Sequence, residues 1–245
     1  MAEENPFEHM QQFLSDFKGD INIIDEKIDI KLQIEYFDMS KDMKGQTVLS
    51  DWEEKSEMLN DISTPLEAKK KILVQLASMD DVKAYRIIEN FTKIADGSIK
   101  HWSLLALQES RMLLQSKLLD QSQVLISTGL GGKENKLRYF FVIFSSNELA
   151  FSDFQKKIIK NEFDDLLQKN NAEIEEIRYH DNIATLLLLI PLNVPIQNLI
   201  GKTISECNQY GNFLKDNCII TNVRVLDIEE IKNFLKSPEK LLPNN

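Results

Sequence analysis

Leu137-Arg138-Tyr139-Phe140-Phe141-Val142-Ile143-Phe144 is a run of aromatic, β-branched and aliphatic side chains broken by a single arginine. Such a run predicts a strand with cover on both sides, because successive residues of a strand point to opposite faces. One face carries Leu137, Tyr139, Phe141 and Ile143, and the other carries Arg138, Phe140, Val142 and Phe144. Both faces hold large apolar groups.

Downstream, Ser152-Asp-Phe-Gln155 has the form of a capping box and predicts a helix to about Asn170 with Phe154, Ile158, Ile159, Phe163, Leu166 and Leu167 inward. Ile174–Tyr179 and Ile183–Ile190 read as strands joined at His180-Asp181-Asn182. Pro195 opens a helix through Leu199, Ile200, Ile204 and Cys207 to Tyr210. Cys218–Val225 reads as a fourth strand, and Asp227 caps a last helix, Ile228–Leu235. The order is βαββαβ followed by a helix. It resembles the ferredoxin-like, split βαβ domain, and a resemblance of element order implies a fold and no activity.

A two-layer domain of that kind covers one sheet face with helices, whereas the strands at 137–144 and 183–190 are apolar on both. The second face therefore needs a cover from the same chain or from another. Tyr139, Phe140, Phe141, Phe144, Leu187 and Leu189 are the candidate interaction surface on this reading. RNA stacking on the sheet is disfavoured, because 184–190 holds no aromatic or basic residue and residues 137–245 carry 12 basic against 15 acidic side chains.

Upstream, Ile126-Ser-Thr-Gly129-Leu-Gly131-Gly132-Lys133-Glu-Asn-Lys136 is the one glycine-rich stretch. A phosphate-binding loop runs from strand to helix and places Ser or Thr after the lysine; here the order is helix to strand and Glu134 follows Lys133. The reading is a flexible interdomain linker or a hairpin loop. Before it, Thr64-Pro65-Leu66-Glu67 predicts a capped helix to about Met79, Asp80 the cap of a second helix to Ala95, and Ser98 the start of a third to about Leu119. Connections of one to three residues make these antiparallel neighbours. Asp81-Val-Lys-Ala-Tyr-Arg86-Ile-Ile and Ile99-Lys-His-Trp-Ser-Leu-Leu-Ala106-Leu-Gln-Glu resemble the helices of HEAT-type repeats over about 60 residues, with room for fewer than the three repeats a free-standing array needs.

The N-terminal part is acidic: residues 1–62 hold 6 basic and 16 acidic side chains, most of the chain's net charge of −10. Residues 5–18 predict a short amphipathic helix. Ile28, Ile30, Leu32, Ile34 and Tyr36 alternate with polar residues, which predicts a strand, with a helix starting near Asp25 as the alternative. Residues 38–50 read as a polar loop and 51–61 as an acidic helix. An acidic segment of this kind is solubilising, docks a basic partner, or folds back over residues 63–136, which carry a net +3.

No chemistry rises from the sequence. His9, His101 and His180 lack metal-ligand neighbours at one-turn spacing, and Ser127 and Thr128 lack a nucleophile-elbow frame. The pairs Glu53-Glu54, Asp164-Asp165 and Glu175-Glu176 are adjacent and point apart. Cys207 and Cys218 match no zinc spacing and read as reduced. No apolar run is long enough to span a membrane and no secretory leader is legible, so the expected compartment is the cytoplasm.

The expected fold class is α+β: an N-terminal helical, HEAT-like part with a C-terminal ferredoxin-like α/β sandwich. The expected organisation is an acidic segment at 1–62, helices at 63–122, a linker at 123–136 and a ferredoxin-like domain with an extra helix at 137–245. The expected function is a non-catalytic protein-interaction or scaffolding module without catalytic, cofactor or metal residues. Its partner would be another protein or a second copy, with nucleic acid disfavoured. A regulatory domain sensing a small ligand is the alternative, and an enzyme the third reading.

Overall fold

The computed structural model describes residues 17, 19–43 and 52–236. The chain is α+β, with helices first and an antiparallel sheet after them. Two compact units meet in sequence between Ser127 and Thr128. The amphipathic helix expected at 5–18 falls almost wholly outside the described residues.

The first unit contains β1 (Asp20–Ile23), α1 (Ile30–Met43), α2 (Trp52–Asn60), α3 (Leu66–Ala77), α4 (Val82–Ile94), α5 (Gly97–Leu119) and β2 (Gln123–Ile126). α5 packs against both α3 and α4, and Trp102, Leu105 and Ala106 are fully buried between them with Leu73, Leu76, Ala84 and Ile88. Asp81, one residue after the expected Asp80, caps α4 by accepting from the Lys83 N–H at 2.6 Å. No side chain caps α3, because Pro65 holds the cap position and Thr64 lies one residue too early.

The strand expected over 28–36 is not formed: this segment becomes the turn into α1 and its first two turns, and the helix runs on through 38–43, where a loop was expected. Asp29 starts it by accepting from the N–H groups of Lys31 at 2.8 Å and Leu32 at 3.4 Å. The alternation was two helical stripes superposed. Ile28, Leu32, Tyr36, Met39 and Met43 pack inward, whereas Ile30, Ile34 and Phe37 form a second row at four- and three-residue spacing.

A second difference lies in the segment expected to be a linker. Residues 123–126 pair in parallel with β1, in register Asp20 with Gln123 through Ile23 with Ile126. Gly19 is required beside them, since any Cβ there would collide with the Ser122 carbonyl oxygen. Residues 128–131 close a turn through the Gly131 N–H to Thr128 O bond (3.1 Å), with Gly131 at φ +65°. Leu130 of that turn is 2% exposed, so the glycines shape a docked turn.

The second unit contains β3 (Gly132–Lys133), β4 (Lys136–Phe144), α6 (Asp153–Lys169), β5 (Glu173–His180), β6 (Ile183–Pro191), α7 (Ile196–Asn208), β7 (Ile219–Thr221) and α8 (Ile228–Lys236). The antiparallel sheet runs β7-β4-β6-β5, with β3 pairing β4 at its other end. Ser152 caps α6 within a complete capping box. Phe141, Ile143, Leu186 and Leu188 form one face and pack on Ile159 and Phe163 of α6 and Leu199 and Ile204 of α7. The opposite face, Phe140, Val142, Phe144, Leu187 and Ile219, meets Leu130 and the Ile228, Ile231 and Phe234 side chains of α8. The cover that the double-sided apolar pattern demanded is thus α8 of the same unit.

Candidate protein-interaction site

The six sheet residues singled out by sequence do not make an open surface. Phe141 is fully buried with its ring 5.7 Å from that of Phe163, and Tyr139 is half-buried on the same face, where burial raises its phenol pKa. Phe140, Phe144 and Leu187 lie beneath α8. Leu189, two residues along β6 on that face, is 1% exposed and pairs with Arg138. Arg138 in turn pairs with Glu175 and donates to the Leu130 carbonyl at 2.7 Å, which explains how an arginine is tolerated in this strand.

Exposed apolar side chains occur in both units, Ile62, Leu118, Leu149 and Phe154 among them, and α1 sets two of them, Ile34 and Phe37, beside a groove. The inward face of α1 is partly polar: Gln33, Tyr36 and Ser40 are buried, whereas Ile34 is 55% and Phe37 38% exposed. A helix inverted in this way must be held by hydrogen bonds. Tyr36 Oη donates to Glu109 at 2.6 Å and Ser40 Oγ to the other oxygen of the same carboxylate at 2.7 Å. Burial, reinforced by the Glu109 charge, holds the Tyr36 phenol well above the ordinary range. The Tyr36 ring meets Trp102 edge-on at 5.2 Å, and the Trp102 N–H donates to the Lys70 carbonyl at 3.1 Å. Lys70 Nζ lies 4.7 Å from the Trp102 ring centroid and 2.7 Å from Glu35. Burial alone would lower its pKa, but bonds to Glu35 and Glu67 reverse the sign.

This anchoring leaves a groove of about 480 Å³ between α1 and β2, lined by Ile30, Gln33, Ile34, Phe37, Asp38, Leu125 and Ser127. Its floor is polar but saturated: Ser127 Oγ donates to Gln33 Oε1 at 2.6 Å, and Gln33 Nε2 donates to the Ile28 carbonyl at 2.8 Å. An amide oxygen does not take a proton at neutral pH, so Ser127 is not an activated nucleophile. Asp38 is the charged side chain of the lining and is exposed. Residues 20–43, which include α1, hold seven acidic and three basic side chains. The groove therefore offers apolar contact beside Asp38, on a segment of net negative charge.

Elsewhere the titratable groups are dispersed. His101 is half-buried on α5, His180 is exposed at the end of β5, and His9 lies outside the described residues. Cys207 and Cys218 are free thiols. Burial, with Glu162 nearby, pushes Cys207 up to about 12, and burial raises Cys218 as well. Among the described residues no cluster of three His, Cys, Asp or Glu side chains is arranged to hold a metal ion, and no helix is long and apolar enough to cross a membrane.

No protein-family model and no curated protein matches the chain. Among solved structures, it is similar to a "putative transposase" from Deinococcus radiodurans R1, at 14% identity and a TM-score of 0.37, over 43% of this chain and 92% of that one. A likeness at this level says nothing about activity.

The groove lies on the segment for which the sequence offers a strand first and a helix as the alternative. The helical signal was present: Leu32, Tyr36, Met39 and Met43 continue at four-, three- and four-residue spacing beyond the point where the alternation ends at Tyr36.

Proposed function

We propose that this chain is a non-catalytic protein-interaction or scaffolding module of the cytoplasm, and that the α1–β2 groove takes a basic, apolar segment of a protein partner. In the same reading, α3–α5 are a HEAT-like piece and the unit from Thr128 onward is a ferredoxin-like domain, as its β7-β4-β6-β5 order favours. The observation that carries the proposal is the outward row Ile30, Ile34 and Phe37, on a helix whose inner face is held by buried hydrogen bonds. Burying a large apolar side chain is worth ~2 kcal/mol, so a solvent-facing row beside a groove is a surface that gains by being covered. Asp38 and the net negative charge of its segment set the sign of the partner's charge. A small-ligand site would need convergent polar groups free to bond, and Gln33 and Ser127 are spent on each other and on Ile28.

The test uses the full chain labelled at isoleucine methyls, titrated with two peptides of ~15 residues that share apolar positions at helical spacing. One carries lysines at the remaining positions and the other glutamates. The expected result is perturbation of Ile30 and Ile34 by the lysine peptide alone, weakening as salt shortens the range of that negative charge. Equal responses to both peptides, or shifts centred on the exposed Ile62 instead, would remove the groove from consideration.

A further inference from the structure

We infer that the segment taken by the α1–β2 groove binds as an added β-strand on the outer edge of β2. The partner is then an extended stretch of a protein, with apolar side chains at two-residue spacing and lysine or arginine between them. This inference rests on the groove reading above and adds to it the conformation that the groove selects.

The backbone of β2 carries the inference. Along the β1–β2 pair the Asp20 N–H donates to the Ser122 carbonyl at 3.2 Å, and the Ile24 N–H donates to the Ile126 carbonyl at 3.3 Å. In a parallel ladder, residues two apart turn their N–H and C=O groups toward the same neighbour. The register is unbroken from Asp20 with Gln123 to Ile23 with Ile126, so the backbone groups of Ser122, Val124 and Ile126 serve β1. Those of Gln123, Leu125 and Ser127 point the other way. Among the described residues no strand pairs with that outer edge, and no hydrogen bond from beyond the sheet reaches the Leu125 backbone.

The groove opens on this same edge. Its β2 lining is Leu125 and Ser127, the residues whose backbone groups point outward, and no residue of β1 belongs to the lining. Leu125 therefore presents a donor and an acceptor beside the apolar row of Ile30, Ile34 and Phe37. A helix lying in the groove would bond its own backbone internally and leave the Leu125 groups to water. A strand satisfies them and sets every second side chain against α1. β2 has four residues, so at ~3.3 Å per residue it offers ~13 Å of edge and reads about four residues of the partner. Asp38 in the lining and the net negative charge of residues 20–43 favour long cationic side chains at the interleaved positions.

The test uses the full chain, labelled at isoleucine methyls and backbone amides, with two peptides of equal length and composition. One, of ~12 residues, alternates valine and lysine through its centre between Gly and Ser flanks; the other redistributes the same valines to helical spacing. The expected result is a shift of the Ile30 and Ile34 methyls, with at least about ten-fold slower hydrogen exchange at the Leu125 amide when the alternating peptide saturates the chain. The Val124 and Ile126 amides, already bonded to β1, should slow less. The helically spaced peptide should bind at least about five-fold more weakly, because it cannot keep its valines on one side of a strand. Methyl shifts with an unchanged Leu125 amide, or equal affinity for the two peptides, overturn the added strand and leave the groove reading standing. No methyl shift with either peptide overturns both.

Discussion

Phe141 and Phe37 stand in segments of similar apolar content, yet one is fully buried and the other is 38% exposed. In β4 the neighbours on both sides of the pleat are apolar, and each face finds helices of the same unit to cover it. In α1 the inward row gives three places to Gln33, Tyr36 and Ser40, whose polar atoms reach Glu109, Ser127 and the Ile28 carbonyl, while Ile34 and Phe37 are turned out. Apolar content alone does not say which side chains are buried; the hydrogen-bond partners available on the facing element decide it. β4 spends both its faces on the stability of its unit, whereas α1 leaves part of its apolar row facing solvent.

The largest effects fall on the sheet. Phe141→Asp and Phe140→Asp should each destabilise by several kcal/mol, because both introduce an unpaired charge into a covered face. Ile34→Asp and Phe37→Asp should stay within about 1 kcal/mol of wild type. Denaturant melts of the four variants sharpen the contrast, and a severe loss from either α1 variant would break it.

Tyr36→Phe comes next. It removes a buried hydrogen bond to Glu109, with an expected loss of about 1–2 kcal/mol at neutral pH in the same melts. Its pH dependence is a sharper signature. The folded-state pKa of Tyr36 lies above the unfolded value of about 10, so its contribution is complete below pH ~10 and is lost as pH rises toward the folded value. Tyr139 and Tyr179 are raised by burial too, Tyr179 to about 12, so Tyr36→Phe should reduce the alkaline loss without abolishing it. An unchanged alkaline limb would show that α1 is not held as described.

The smallest effect is at Glu230, half-buried at the head of α8. The Arg224 guanidinium, aided by the Asp227 N–H, holds its carboxyl down at about 2. Its contribution is present above the unfolded pKa of about 4.3 and lost as pH falls toward the folded value. Glu230→Gln should flatten the acid limb of α8 protection between those limits while leaving β4 and β6 unchanged. A matching loss in the sheet would mean that α8 and the sheet open as one unit.

Much of the second unit was legible because its signals are local. The Ser152–Gln155 capping box, the doubly apolar run at 137–144 and the His180-Asp181-Asn182 turn each act over a few residues, and all formed where read. The α1 groove was less legible, because alternation over 28–36 is shared by a strand and by two helical stripes at even positions; the spacing continued by Met39 and Met43 separates the two, but Glu109, the partner that buries Tyr36 and Ser40, lies some 70 residues away. At 129–132 a flexible linker and a hairpin loop were both open, and the structure forms the hairpin, β3 pairing with β4 in register Gly132 with Leu137. A flexible linker and a docked turn use the same residues, and the difference is where Leu130 finds apolar company.

The most direct test of the docking account places benzoylphenylalanine at position 37 of the full chain, with the same group at the exposed position 62 as control, and maps crosslinks formed in native lysate at low salt. The account predicts that position 37 alone captures segments rich in Lys or Arg and apolar residues, and that a second change, Ile34→Asp, removes them without altering the melt. Equal capture from positions 37 and 62, or capture unaffected by Ile34→Asp, would contradict it.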